Sequence, residues 1–214
     1  MKRKLILMCM AGVLVMTAVI GGTLAGFNTA AENKSTADIT VGALGIELTG
    51  TAAEKTLEIE KGLPGGETEV RCSVQNRVEE GYTLYTRVTI DKKWKSGAKE
   101  ELDPGKIRLY TGDGESRTEL LAGTNVNGWI VWYADEEQIV LYYTKPLAQG
   151  ESSGEFISAA GFAPDMDNAY ADAEVELGIR ADAVQSIAAQ DSIPSEWGVY
   201  PVIGEDGTIV SIEE

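Results

Sequence analysis

The 214-residue sequence contains no histidine. That absence removes the commonest general base and the commonest zinc ligand together. A His-Glu-x-x-His metalloprotease site, and any serine or cysteine triad built on a histidine base, are excluded. Cysteine is nearly missing as well. Cys9 and Cys72 are the two present, and Cys9 falls in an N-terminal stretch with the character of a leader, so the remainder has one thiol and forms no internal disulfide. Basic residues are scarce, with 18 Lys and Arg against 34 Asp and Glu, for a net charge of −16. So acidic a surface repels nucleic acid and anionic lipid, which are bound by neutralising phosphate with Lys and Arg. Neither is an expected partner. No Gly-rich phosphate loop of standard spacing occurs, and no cofactor is expected.

What is present begins with a leader. Lys2, Arg3 and Lys4 precede a run without charge that lasts until Glu32. A basic start, an apolar stretch and the small residues around Gly21-Gly22-Thr23-Leu24-Ala25 have the form of a secretory signal peptide. Thr23 at −3 and Ala25 at −1 place cleavage before Gly26. The uncharged run is also long enough to span a bilayer, but the Gly-Gly break favours cleavage, and no stable anchor is expected afterwards. The expected organisation is a signal helix over residues 1–25, a polar arm over 26–43 and one domain over 44–214.

In that domain the dominant pattern has period two, which argues for half-buried strands. Ile46 and Leu48 alternate after Leu44; Val70, Cys72 and Val74 share a face, which makes Cys72 a small buried hydrophobe. Leu84, Thr86, Val88 and Ile90 follow, then Ile107 and Leu109, and Val175, Leu177, Ile179 and Ala181. Residues 129–133 and 138–143 form a hairpin around the polar turn 134–137. Turns rich in Pro, Gly and Asp at 63–66, 103–105, 111–114 and 149–150 separate these runs. Short helices are expected at 92–102 and 182–190. Many short strands with frequent turns predict an all-β, antiparallel β-sandwich with short peripheral helices.

Several stretches together resemble a known family. They are Gly21-Gly22-Thr23-Leu24-Ala25-Gly26-Phe27-Asn28 followed by Val41-Gly42-Ala43-Leu44-Gly45-Ile46-Glu47-Leu48, the turn Gly62-Leu63-Pro64-Gly65-Gly66-Glu67, the aromatic pairs Trp132-Tyr133 and Tyr142-Tyr143, and Ala181-Asp182-Ala183-Val184-Gln185 with Trp197-Gly198. The sequence is similar here to the TasA/camelysin family of secreted proteins with a SipW-type signal peptide. The resemblance implies a jelly-roll sandwich exported by a Gram-positive bacterium, cut by a SipW-like signal peptidase, and placed in the biofilm matrix or on the cell surface. Some members of that family polymerise into fibres, and some are described as metallopeptidases. Without histidine the peptidase reading is the weaker one, and the sequence reads as a non-enzyme.

Four groups of residues are candidates for function. Ala37, Ile39 and Val41 alternate on one face and could be donated to the sheet of a second copy, giving a homopolymer. Asp165 and Asp167, with Asp172 nearby, begin like a calcium loop, but Tyr170 stands where the sharp turn needs glycine, so a solvated acidic loop is the plainer reading and no metal is expected. Trp129, Trp132, Tyr133, Tyr142 and Tyr143 make an aromatic hairpin, either core and cross-strand pairs or a surface for a glycan or a matrix or cell-surface protein. Thr23, Ala25 and Gly26 mark processing.

Overall fold

The β4 segment Glu67–Asn76 shows how the alternation becomes structure: Val70, Cys72, Val74 and Asn76 are buried, while the residues between them face outward. The computed structural model describes residues 29–34, 38–39, 45–50, 64–78, 81–95, 101–171 and 173–214. Before β4 come β1 (Thr29–Lys34), β2 (Asp38–Ile39) and β3 (Ile46–Thr49). After it follow β5 (Leu84–Trp94), β6 (Ile107–Thr111), β7 (Thr118–Glu119), β8 (Asn125–Val126), β9 (Trp129–Ala134), β10 (Gln138–Tyr143), β11 (Ile157–Phe162) and β12 (Val175–Gln185). A helix α1 (Ala189–Trp197) and the strands β13 (Tyr200–Ile203) and β14 (Ile209–Glu213) close the chain.

All pairings are antiparallel, in a seven-stranded sheet of order β2-β1-β12-β5-β10-β9-β8, a five-stranded sheet of order β3-β4-β11-β6-β7, and the separate ribbon β13-β14. At the heart of the two larger sheets lie the runs β1-β12-β5-β10 and β4-β11-β6-β7. Apart from the hairpin β6-β7, the neighbours in these runs are distant in sequence, with the first strand beside the last long one. This is the strand order of a jelly roll, two Greek keys folded onto each other. The all-β sandwich expected from the alternation is therefore the observed architecture.

The main core fills the space between the sheets with Val70, Val74, Val88, Ile90, Leu109, Trp129, Leu141, Ile157 and Leu177, all buried. A second cluster lies on the outer face of the large sheet. There Tyr85, Ile130, Tyr142 and Val184 are covered by Ala189 and Ile193 of α1, by Val199 just before β13, and by Ile209 of β14. Full burial of a side chain such as Ile193 contributes about 1.5–3 kcal/mol. The central strands are thus buried on both faces, which strict alternation does not foresee.

The two expected helices are corrected. Residues 92–94 and 182–185 are strand rather than helix. They extend β5 and β12 because Lys92 and Trp94 still face the core and Val184 finds cover under α1. The helix lies further on, at Ala189–Trp197, and ends on Gly198, whose left-handed φ of 71° lets its N–H cap Pro194 O. Within the arm expected over 26–43, Thr29–Lys34 pairs with β12 as a strand of the large sheet.

Candidate assembly site

β12 is the longest strand together with β5, and the two pair along their whole length, from Val175↔Trp94 to Gln185↔Leu84. Its other side is covered only in part. β1 pairs with Gly178 to Ala183 in the register Thr29↔Ala183, Ala30↔Asp182, Ala31↔Ala181, Glu32↔Arg180, Asn33↔Ile179 and Lys34↔Gly178. Among the described residues no strand pairs on that side with Val175, Glu176, Leu177, Val184 or Gln185.

The remaining sheet edges are short. β2, β7 and β8 have two residues each and β3 has four. Short edges offer few unpaired N–H and C=O groups to another chain. In the ribbon, β13 carries Pro201, which has no N–H to donate. Among the described residues the longest such template is the side of β12 that lies under β1, a strand of sequence Thr-Ala-Ala-Glu-Asn-Lys.

The outer row of β12 carries the charge. Asp182 is buried and stands opposite Arg87 of β5, which stands opposite Tyr142 of β10. Arg87 donates to Asp182 Oδ2 from Nε at 3.1 Å and from Nη2 at 2.6 Å. Its guanidinium also lies 5.4 Å from the Trp197 ring centroid, within range of a cation–π contact. Arg180, two positions along the same row, is half-buried, and its Nε sits 3.9 Å from Asp182 Oδ2. With Asp182 already engaged by Arg87, this second contact is a loose one. Burial pushes the Tyr142 hydroxyl above its ordinary range, so the row holds one buried anion, Asp182, between two arginines.

The residues singled out in the sequence are scattered. Ile39 lies in β2, opposite Asn33, while Ala37 and Val41 lie outside the described residues. Among the described residues the segment that pairs with β12 is Thr29–Lys34. Thr23, Ala25, Gly26 and the signal helix also lie outside the described residues, as does Asp172. Asp165 accepts from Lys106 Nζ at 2.8 Å, and that ammonium holds its carboxyl below the usual range. Asp167 accepts from Ala169 N and caps the short turn Asn168–Tyr170. Between the two, Met166 points into the core, and Tyr170 packs edge-on against Trp94. The two carboxylates thus serve a lysine and a turn, and among the described residues no group of three or more His, Cys, Asp or Glu is placed to hold a metal ion.

The aromatic hairpin divides between the two cores and forms no five-residue surface. Trp129 is buried in the main core against Phe156 and Tyr143. On the opposite face Tyr142 is buried against Trp132 and Trp197. Tyr133 alone of the five is exposed, and its hydroxyl donates to Asp135 at 2.5 Å. Cys72 is buried, and desolvation pushes its thiol up to about 12.

Arg87, Asp182, Arg180 and Trp197 were not foreseen as site residues. Arg180-x-Asp182 does share a face by strand periodicity, but nothing local couples Asp182 to Arg87, 95 positions away. No family model, curated protein or solved structure matches the chain.

Proposed function

We propose that the protein is a secreted, non-catalytic structural subunit of the cell surface or extracellular matrix, which joins copies of itself by passing β1 to the β12 edge of a neighbour. The signal-peptide pattern supports secretion, and the lack of histidine argues against the common hydrolytic mechanisms. The observation that carries the assembly reading is the pairing of the six-residue β1 with the eleven-residue β12, whose outer side is covered by β1 alone among the described residues. Main-chain hydrogen bonds supply affinity in such an exchange and alternate side chains supply register. Because the donor strand and the acceptor edge are different surfaces, the contact is head-to-tail and builds open filaments. Resemblance to the TasA/camelysin family points the same way, toward a matrix or surface fibre.

The test uses the secreted form beginning at Gly26, followed by size-exclusion chromatography and electron microscopy across pH and salt. Filaments are expected as the acidic surface is neutralised or screened, and deletion of 26–41 prevents them. A chain that stays monomeric under all conditions, or a deletion variant that forms the same filaments, overturns the reading.

A further inference from the structure

The C-terminal ribbon is apolar on both faces. On its inner side Pro201 and Ile209 are buried, and Ile209 belongs to the second core cluster. On its outer side Tyr200 is 60 % exposed, Val202 43 % and Val210 62 %. Tyr200 and Val202 are two positions apart on one strand and so share a face. Val202 stands opposite Ser211, and Val210 precedes Ser211 where the pairing shifts register. Outward positions elsewhere follow the opposite rule, since β4 turns Glu69, Arg71 and Gln75 outward, and β12 Glu176 and Arg180. A single exposed apolar side chain needs no explanation, but a group of them on one face marks a contact surface. The ribbon is also tied down, with Ile209 N donating to Thr144 O at 2.7 Å and the Tyr85 hydroxyl to Gly207 O at 2.5 Å.

Charge decides what such a face accepts. From residue 186 to the last, the charged residues are Asp191, Glu196, Glu205, Asp206, Glu213 and Glu214, with no lysine or arginine among them. Glu213 stands directly opposite Tyr200, on the outer side, and Glu205 and Asp206 occupy the turn at the other end of the ribbon. Asp206 accepts from Thr208 N and from Thr208 Oγ1, both at 3.0 Å, and these bonds hold its carboxyl below the ordinary range. The exposed apolar group therefore lies between acids at both ends. The ribbon of a second copy would bring the same acids against them, which opposes face-to-face self-pairing.

We propose that the outer face of the β13-β14 ribbon docks an extended segment of a different protein, of pattern basic-x-apolar-x-apolar-x-basic. Same-side residues of an extended chain repeat at about 6.5–7 Å, the repeat of Tyr200 and Val202 on their own strand. The two apolar side chains of the segment cover Tyr200 and Val202. Its basic ends then face Glu213 on one side and Glu205 and Asp206 on the other. Apolar contact supplies affinity, and the acids select against neutral and acidic segments. The surface does not rest on strand donation, because the ribbon pairs with neither of the two larger sheets.

The test is a chemical-shift titration of the isotope-labelled secreted form, at neutral pH and low salt, with three capped peptides. They are Lys-Ser-Leu-Ser-Leu-Ser-Lys, its acidic counterpart Glu-Ser-Leu-Ser-Leu-Ser-Glu, and the polar Lys-Ser-Ser-Ser-Ser-Ser-Lys. The first is expected to shift the amides of 200–203 and 209–213, and the other two to bind roughly tenfold more weakly or less. Tyr200→Ser with Val202→Ser abolishes the preference for the leucine peptide over the polar one. Glu213→Lys weakens the basic peptide and strengthens the acidic one, and added salt weakens the basic peptide as well.

Three peptides that bind alike, shifts that map elsewhere, or variants that bind like the wild type overturn the proposal. So does a fall in self-association of the protein alone, by sedimentation, when Tyr200 and Val202 are replaced, since the face would then belong to a second copy. Glu213→Lys leaves the apolar group intact and keeps the test valid if the serine variant loses stability.

Discussion

Arg87 Nη2 lies 2.6 Å from Oδ2 of Asp182, an acid that is 4 % exposed, and it ties the strand beside β1 to the strand beneath the C-terminal helix. Removing one partner of a buried ion pair leaves the other uncompensated, at a cost of about 3–5 kcal/mol. Arg87→Ala is therefore expected to destabilise strongly in urea unfolding. The pair replacement Arg87→Leu with Asp182→Leu should recover most of the loss. Hydrogen exchange should show α1 loosening in either case, since the Trp197 contact with the guanidinium goes as well.

Ala31 and Ala181 are directly opposite in the register. Opposed residues in antiparallel strands have Cα atoms about 4.5–5.5 Å apart, within disulfide range. Ala31→Cys with Ala181→Cys should oxidise within one chain, visible as a mass loss of two hydrogens, and hold β1 in place. Filament formation is expected to stop on oxidation and to resume on reduction. Buried Cys72 should take no part.

Lys92 faces the core at one end of the sandwich, where its Nζ donates to Ile107 O at 3.3 Å. Burial is the largest influence on it and holds its pKa below the ordinary 10.5, against the nearby carboxylates of Asp135, Glu119, Asp103 and Glu136. The folded state thus binds the proton less well than the unfolded chain. The penalty is full below the folded pKa and fades as pH rises toward 10.5. Lys92→Met should be more stable than the wild type at neutral pH by about 1 kcal/mol, with the gap closing on the alkaline side. A variant less stable at neutral pH would show that the carboxylates, not burial, dominate.

Acid acts in two opposed ways. Asp113 is held below its ordinary range by Arg71, Asp165 by Lys106, Asp135 by the Tyr133 hydroxyl and Asp206 by the backbone and hydroxyl of Thr208. A depressed folded pKa gives stability that is present above the unfolded value near 3.8 and is lost as pH falls through the folded one. Loss of repulsion, by contrast, is complete near the sequence pI of about 4.4. Assembly is therefore expected to peak close to that pH and to decline below it as Tm falls, which light scattering and circular dichroism over the same series would follow.

Gly161 sits in β11, where an added Cβ would lie 2.9 Å from Tyr110 Cε2 and 3.3 Å from Glu67 Cγ. Gly161→Val is expected to cost about 1–3 kcal/mol by overpacking, with the midpoint of unfolding shifted and the slope unchanged.

That glycine also marks where the sequence was hard to read. β11 has the sequence Ile-Ser-Ala-Ala-Gly-Phe and every residue in it is buried, so it shows no alternation to separate it from a loop. The strands with one face toward the core, such as β4 and most of β12, were legible for the opposite reason. α1 was hidden by Pro194 within it and by the absence of a capping side chain at Ala188. The aromatic hairpin was found, but its burial on both faces depends on the C-terminal segment, which no local pattern announces. The site followed the same rule. Alternation places Arg180 and Asp182 on one face, whereas their partners on β5 and β1 are fixed only by the jelly-roll order.

That order also sets a timetable. A chain made from its N-terminus produces β1 first, and the strand it pairs with appears about 150 residues later, a separation of the kind that slows closure. Through that interval Thr29–Lys34 lacks its β12 partner and has only the two-residue β2 to pair with, while any finished neighbour that has let its own β1 go presents a ready edge. If strands are exchanged as proposed, whether a subunit closes on itself or joins another depends on how many open neighbours surround it while it is being completed. On the strand-donation reading, crowding at the point of release joins the equilibrium between the two pairings in setting the length of what is built.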